Sequence, residues 1–217
     1  MEAPSFPGCP AYRLKKKFRG RPHQVPATER ILVSDRVCSV PSVFITHPEV
    51  VIDPAVPIEQ WQLSAVGRAR ALRLAALFGG RVDRVISSTE RKATETAAIL
   101  AEGLGVPMLV DAGLGEMDRS ATGYLPPDEF ETVVDAFFAA PEESIRGWER
   151  AVDAQCRIAD AIRRHISNGH GDATAFVSHG GVGGLLLASL TGSPISAYSI
   201  SRPLAVTSPS TRSSGLR

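Results

Sequence analysis

Cysteine is scarce in this chain: Cys9, Cys38 and Cys156 are the three in 217 residues. An odd count without metal-like spacing builds neither a disulfide framework nor a thiolate cluster, so the chain reads as one of a reducing compartment, the cytoplasm. Long apolar runs are missing too. The greasiest stretch, residues 182–190, falls far short of the ~20 residues a membrane span needs. Lys15, Lys16 and Lys17 have no apolar run behind them, which argues against a secretory signal. Neither sign of charge dominates, with 24 Lys/Arg against 23 Asp/Glu. That balance hides an uneven distribution: residues 1–40 carry eight basic and three acidic side chains, 201–217 carry three arginines and no acid, and 41–200 carry 13 basic against 20 acidic. An acidic body is a poor general nucleic-acid binder, because phosphate affinity comes from clustered Lys and Arg. The basic run from Arg13 to Arg21 reads as a solvated arm.

What is present is an ordinary globular mixture, 43% hydrophobic and 22% charged, enough for one domain with extensions. Residues 1–40 hold Pro4, Pro7, Gly8, Pro10, Gly20 and Pro22 without any apolar period, and 201–217 are rich in Ser, Pro and Arg. Both ends therefore read as irregular segments around a domain at 41–200. Within that domain, strand-like and helix-like segments alternate. Strands are predicted at 42–46 (SVFIT), 84–87 (RVIS), 108–111 and 173–178 (ATAFVS). Ser64 reads as an N-cap before a helix patterned on Val66, Ala69, Leu72 and Ala76 and closed by Gly79-Gly80. Further helices are expected at 90–104 with Ala93, Ala97 and Leu100 on one face, from Pro127 through Phe130 and Phe137, along a stripe of Trp148, Val152, Ala159, Ile162 and Ile166, and at 181–190. Such alternation predicts an α/β fold of three layers, α/β/α, with a mostly parallel central sheet.

In an open α/β sheet the ligand crevice lies outside the carboxyl ends of the strands. His47, Arg91, Glu116 and His179 follow successive predicted strands, so four chemically capable residues fall on one edge. A neutral imidazole can attack phosphorus, a guanidinium offers a fork of donors to phosphate oxygens, and a carboxylic acid can protonate a leaving oxygen. His179 precedes Gly180-Gly181 at a helix start, where backbone N–H groups favour an anion. With these residues in view, the chain resembles the histidine phosphatase superfamily, the phosphoglycerate mutase-like proteins. The resemblance rests on Ile45-Thr46-His47-Pro48-Glu49 against a strand ending in R-H-G, on Trp61 to Gly67 (WQLSAVG), on Ser87 to Ala97 (SSTERKATETA), and on Val177-Ser178-His179-Gly180-Gly181. It covers about residues 42–192. It implies that His47 is a phosphorylated nucleophile, that Thr46, Arg91, His179 and Gly180 bind the phosphoryl group, and that Glu116 is the proton donor. It implies no metal and no cofactor, and a small-molecule phosphate ester as the ligand.

Two departures stand out. Thr46 occupies the position of the family's first arginine, and Pro48 that of its usual glycine. Loss of a charged donor of this kind costs about a hundredfold in rate, so a binding-only relative of the phosphatases is the rival expectation, and Arg119 is a second arginine within reach of the site by sequence. A metal hydrolase built on His47, His179 and Glu116 with His165, His170 or Asp172 is the reading from another class. It lacks close ligand spacing. The sequence names neither the substrate nor the oligomeric state.

Overall fold

The structure of the protein, a computed structural model, describes residues 42–78, 81–168 and 172–196. The arm at 1–40, the tail at 201–217, Gly79-Gly80 and His170 lie outside the described residues. Four strands, β1 (Val43–Thr46), β2 (Arg84–Ser87), β3 (Met108–Val110) and β4 (Thr174–Ser178), form one sheet in the order β1-β4-β2-β3, every pair parallel. Among the described residues five α-helices pack around it: α1 (Ala65–Phe78), α2 (Arg91–Leu104), α3 (Pro127–Ala139), α4 (Ala151–Asn168) and α5 (Gly180–Thr191). This is the expected α/β architecture.

Alternation along the strands makes the layers. On β2, Val85 packs with Ala93, Ala97 and Leu100 of α2, whereas Ile86 enters the cluster of Phe137, Trp148 and Ile158. On β4, Ala175 and Val177 join the first group and Phe176 the second. Successive side chains of a strand point to opposite faces, so a strand buried on both sides feeds two cores. Among the described residues no helix is long and apolar enough to cross a membrane.

Two helices turn differently from their apolar pattern. In α1 the buried positions are Gly67, Ala71 and Ala75, while Val66 and Leu72 of the expected stripe stand 49% and 61% exposed, and Ala69 and Ala76 are exposed as well. The cause is a close approach to α2: a Cβ on Gly103 would lie 3.0 Å from the Ala75 methyl. Only a small-residue face permits that spacing, so the larger side chains go outward. In α4 the buried face is Ala151, Ala154, Ile158, Ala161 and Ile162, and Ile166 of the expected stripe is exposed. Trp148 is buried but precedes the helix.

Because all four strands run the same way, their carboxyl ends share one edge. That edge carries His47, Ser88, Asp111 and His179, each the residue following its strand.

Candidate active site

The two strand-end histidines lie side by side because β1 and β4 are neighbours. The His47 backbone N–H donates to the Ser178 carbonyl (3.0 Å), and the two imidazoles meet edge to face with centroids 5.2 Å apart. His47 Nδ1 is 2.9 Å from the Pro48 carbonyl oxygen. A carbonyl only accepts, so Nδ1 carries the proton and Nε2 keeps its lone pair. Burial pushes the His47 pKa below the ordinary histidine value, partly offset by that hydrogen bond. The ring is therefore neutral near pH 7.

The segment beyond His47 is held by the Trp61–Gly67 stretch. Ser64 caps α1, its Oγ accepting from the Gly67 N–H (2.9 Å) and donating to Glu49 Oε1 (2.7 Å). A Cβ on Gly67 would stand 2.1 Å from the Glu49 carbonyl oxygen, so only glycine lets α1 come this near. Trp61 Nε1 donates to the Asp53 carbonyl (2.9 Å), tying the loop down further.

His179 is fully buried, and burial pulls its pKa down to about 3. Its Nε2 lies 2.7 Å from Ser88 Oγ and 3.1 Å from Glu90 Oε1. Serine and acid thus share one ring nitrogen, which is not the arrangement of a hydrolytic triad, where they occupy opposite nitrogens. Nδ1 is buried and has no hydrogen-bond partner among the described residues.

Glu116 joins the pair through the start of α5. Its carboxylate accepts the N–H groups of Gly181 (3.1 Å) and Val182 (2.9 Å), so the anion drawn to this helix N-terminus is a side chain of the protein itself. A Cβ on Gly181 would come within 2.7 Å of Glu116 Oε1, which explains glycine there. Around Gly180 the space is open. The loop bearing Glu116 is fastened by Arg157, whose guanidinium donates to the carbonyls of Gly113 (3.2 Å), Gly115 (2.9 Å) and Glu116 (3.0 Å) and pairs with Glu149.

Arg91 does not meet these groups. Its side chain is half exposed and donates to Glu95 (2.9 Å) and Gln62 (2.9 Å) on the outer surface. Lys92 points inward instead, 4% exposed, with Nζ donating to the Ile58 carbonyl (2.9 Å) and to Glu90. Adjacent helix positions face about 100° apart, so only one of the two can look at the strand edge. The signal was in the motif: five residues counted on from Ser87 in S-S-x-x-x-R reach Lys92, not Arg91. Glu90, 8% exposed, binds Lys92 through one oxygen, while the other accepts the Glu116 backbone N–H (2.9 Å). No local pattern announces that pairing.

Thr46 is exposed at the end of the edge strand β1. Arg119 is half-buried, its guanidinium 4.8 Å over the Phe130 ring, within the field of Glu116 and Glu90. His165 lies near the end of α4, bonded to Asp111 (2.7 Å), and Asp172 is exposed. Among the described residues no three His, Cys, Asp or Glu side chains are grouped to hold a metal ion.

A family model described as the histidine phosphatase superfamily (branch 1) matches residues 58–211. No curated protein matches the chain. Among solved structures, the chain is similar to Bacillus stearothermophilus YhfR, at 25% identity and a TM-score of 0.64 over 74% of this chain and 83% of that one. It is similar to a mycobacterial glucosyl-3-phosphoglycerate phosphatase, at 22% identity and 0.60 over 73% and 82%. A putative alpha-ribazole-5'-P phosphatase of Escherichia coli follows at 24% and 0.57, over 70% and 80%. The mycobacterial protein has also been solved with VO3 and with inorganic phosphate.

Proposed function

Since the chain belongs to the histidine phosphatase superfamily, we propose that it hydrolyses a small phosphate monoester through a phosphohistidine on His47. Family membership carries the coarser statement, a phosphatase or phosphoryl-transfer role. The finer one rests chiefly on the Nδ1 contact of His47 with the Pro48 carbonyl, which leaves Nε2 as a neutral nucleophile beside His179.

The chemistry runs in two displacements. Nε2 of His47 attacks phosphorus, the N–P bond forms, and the bond from phosphorus to the ester oxygen breaks. Glu116, in its acid form, gives its proton to the departing alcohol. Its carboxylate then takes a proton from water, which attacks phosphorus, breaks the N–P bond and releases inorganic phosphate. The His179 ring lies beside His47, and the Lys92 ammonium adds positive charge to the site. The mycobacterial neighbour's phosphate and vanadate complexes support a small phosphate ester as ligand.

A radiolabelled reactive phosphate ester, offered without metal, is expected to leave an acid-labile, base-stable label that is absent in His47→Ala. Activity abolished by EDTA and restored by zinc would overturn this reading. A binding-only role is the second one, favoured by Thr46 and by the carboxylate of Glu90 on Lys92. Tight phosphate binding without any label would decide for it.

A further inference from the structure

We infer that Arg119 is a phosphoryl-binding residue of this site, supplying from the loop the guanidinium fork that the Thr46 position lacks; the inference rests on the phosphoryl-transfer reading above. Of the cations near the histidines, Lys92 is already bonded to the Ile58 carbonyl and Glu90, and Arg91 is turned away onto Gln62 and Glu95. Arg119 is different. Its guanidinium is half-buried yet forms no hydrogen bond or ion pair with any described residue. Its N–H donors are therefore open to an acceptor that arrives from solvent, and a guanidinium bonds an anionic oxygen more strongly than a neutral one.

The side chain is prepared for that task. The Arg119 guanidinium carbon lies over the Phe130 ring, 4.8 Å from its centroid, a contact that holds the cation in place without using any of its N–H donors. The backbone is held on both sides. Upstream, Asp118 exchanges hydrogen bonds with Glu149 (3.1 Å and 2.8 Å), which Arg157 also grips. Downstream, the Arg119 carbonyl accepts the N–H groups of Thr122 (3.2 Å) and Gly123 (3.1 Å), and Trp148 Nε1 donates to Thr122 Oγ1 (2.9 Å). Arg119 follows Glu116 by three residues, and Glu116 is bonded to the helix that begins beside His179. The negative charges of Glu116 and Glu90 both act on Arg119, and its positive charge acts on His179. Charge gives a further reason. The Lys92–Glu90 pair is neutral as a unit, so Arg119 brings the uncompensated positive charge that a phosphoryl dianion needs at this site.

The test is calorimetric binding of inorganic phosphate and of vanadate to wild type, Arg119→Ala, Arg119→Lys, the double variant Thr46→Arg/Arg119→Ala, and Arg163→Ala as a control on the outer face of α4. Arg119→Ala is expected to weaken both anions by about thirtyfold or more, and Arg119→Lys by about a third of that in logarithmic terms, since a point charge replaces the fork. The double variant recovers about tenfold over Arg119→Ala, and the control stays near wild type. Wild-type affinity in Arg119→Ala overturns the inference, as does a wild type that binds neither anion. Should Arg119→Ala fail to fold, wild-type affinity in Arg119→Lys serves the same purpose. Anion binding that depends on Arg119 with no label on His47 would keep the inference and sink the hydrolytic reading. Normal labelling of His47 in Arg119→Ala would do the reverse.

Discussion

At Glu90 one carboxylate oxygen meets the Lys92 ammonium, while the other lies 3.1 Å from His179 Nε2 and accepts the Glu116 N–H. A carboxylate thus already satisfies Lys92, the cation proposed above to serve the phosphoryl ligand. Both side chains of the ion pair are about nine-tenths buried or more, and removing one partner of such a pair strands the other charge. Glu90→Gln is therefore expected to lose about 3 kcal/mol of stability in phosphate-free buffer. Inorganic phosphate should recover more of that in the variant than it adds to wild type, because the anion then pairs with Lys92. Urea unfolding of both proteins with and without phosphate measures this. An equal phosphate response in the two would show that Lys92 is not open to the ligand.

At the scale of elements, the contact that aims His47 is the approach of α1 to the chain just beyond β1. Gly67 makes it possible, since a Cβ there would sit 2.1 Å from the Glu49 carbonyl oxygen. Intrinsic helix propensity and tertiary contact make opposite forecasts for Gly67→Ala. Propensity alone says the helix gains about 1 kcal/mol, whereas the clash forces backbone apart at a cost of about 1–3 kcal/mol or more. We expect net destabilisation by about 2 kcal/mol in urea unfolding, together with slower labelling of His47, because the displaced segment includes the Pro48 carbonyl that orients its ring. A stabilised variant with unchanged labelling would mean that the segment relaxes freely.

For the whole molecule, a neutral histidine sealed at the sheet edge couples folding to acid. The unfolded chain takes up a proton on His179 near pH 6.5, whereas the folded protein resists it until about pH 3. Between those values the unfolded state holds more protons, so stability falls as pH falls, by about 5 kcal/mol across the window. The lowered pKa of His47 acts in the same direction. Urea midpoints at pH 7, 5.5 and 4 should decline in wild type and decline less in His179→Asn. Equal slopes would show that other groups carry the acid sensitivity. The sequence by itself determined the alternation of strands and helices, the parallel sheet and the edge on which His47, Glu116 and His179 fall. Those follow from periods of 2 and 3.6 residues, cap residues and strand-end motifs, all properties of a few consecutive residues. Only the tertiary structure decided that α1 buries Gly67, Ala71 and Ala75, that Lys92 rather than Arg91 turns inward against Glu90, and that Glu116 takes the start of α5. Each of those depends on which surface packs closest and which charge finds a partner. Glu116 and Val182, 66 residues apart in the chain, come together through folding in space, which no local pattern records.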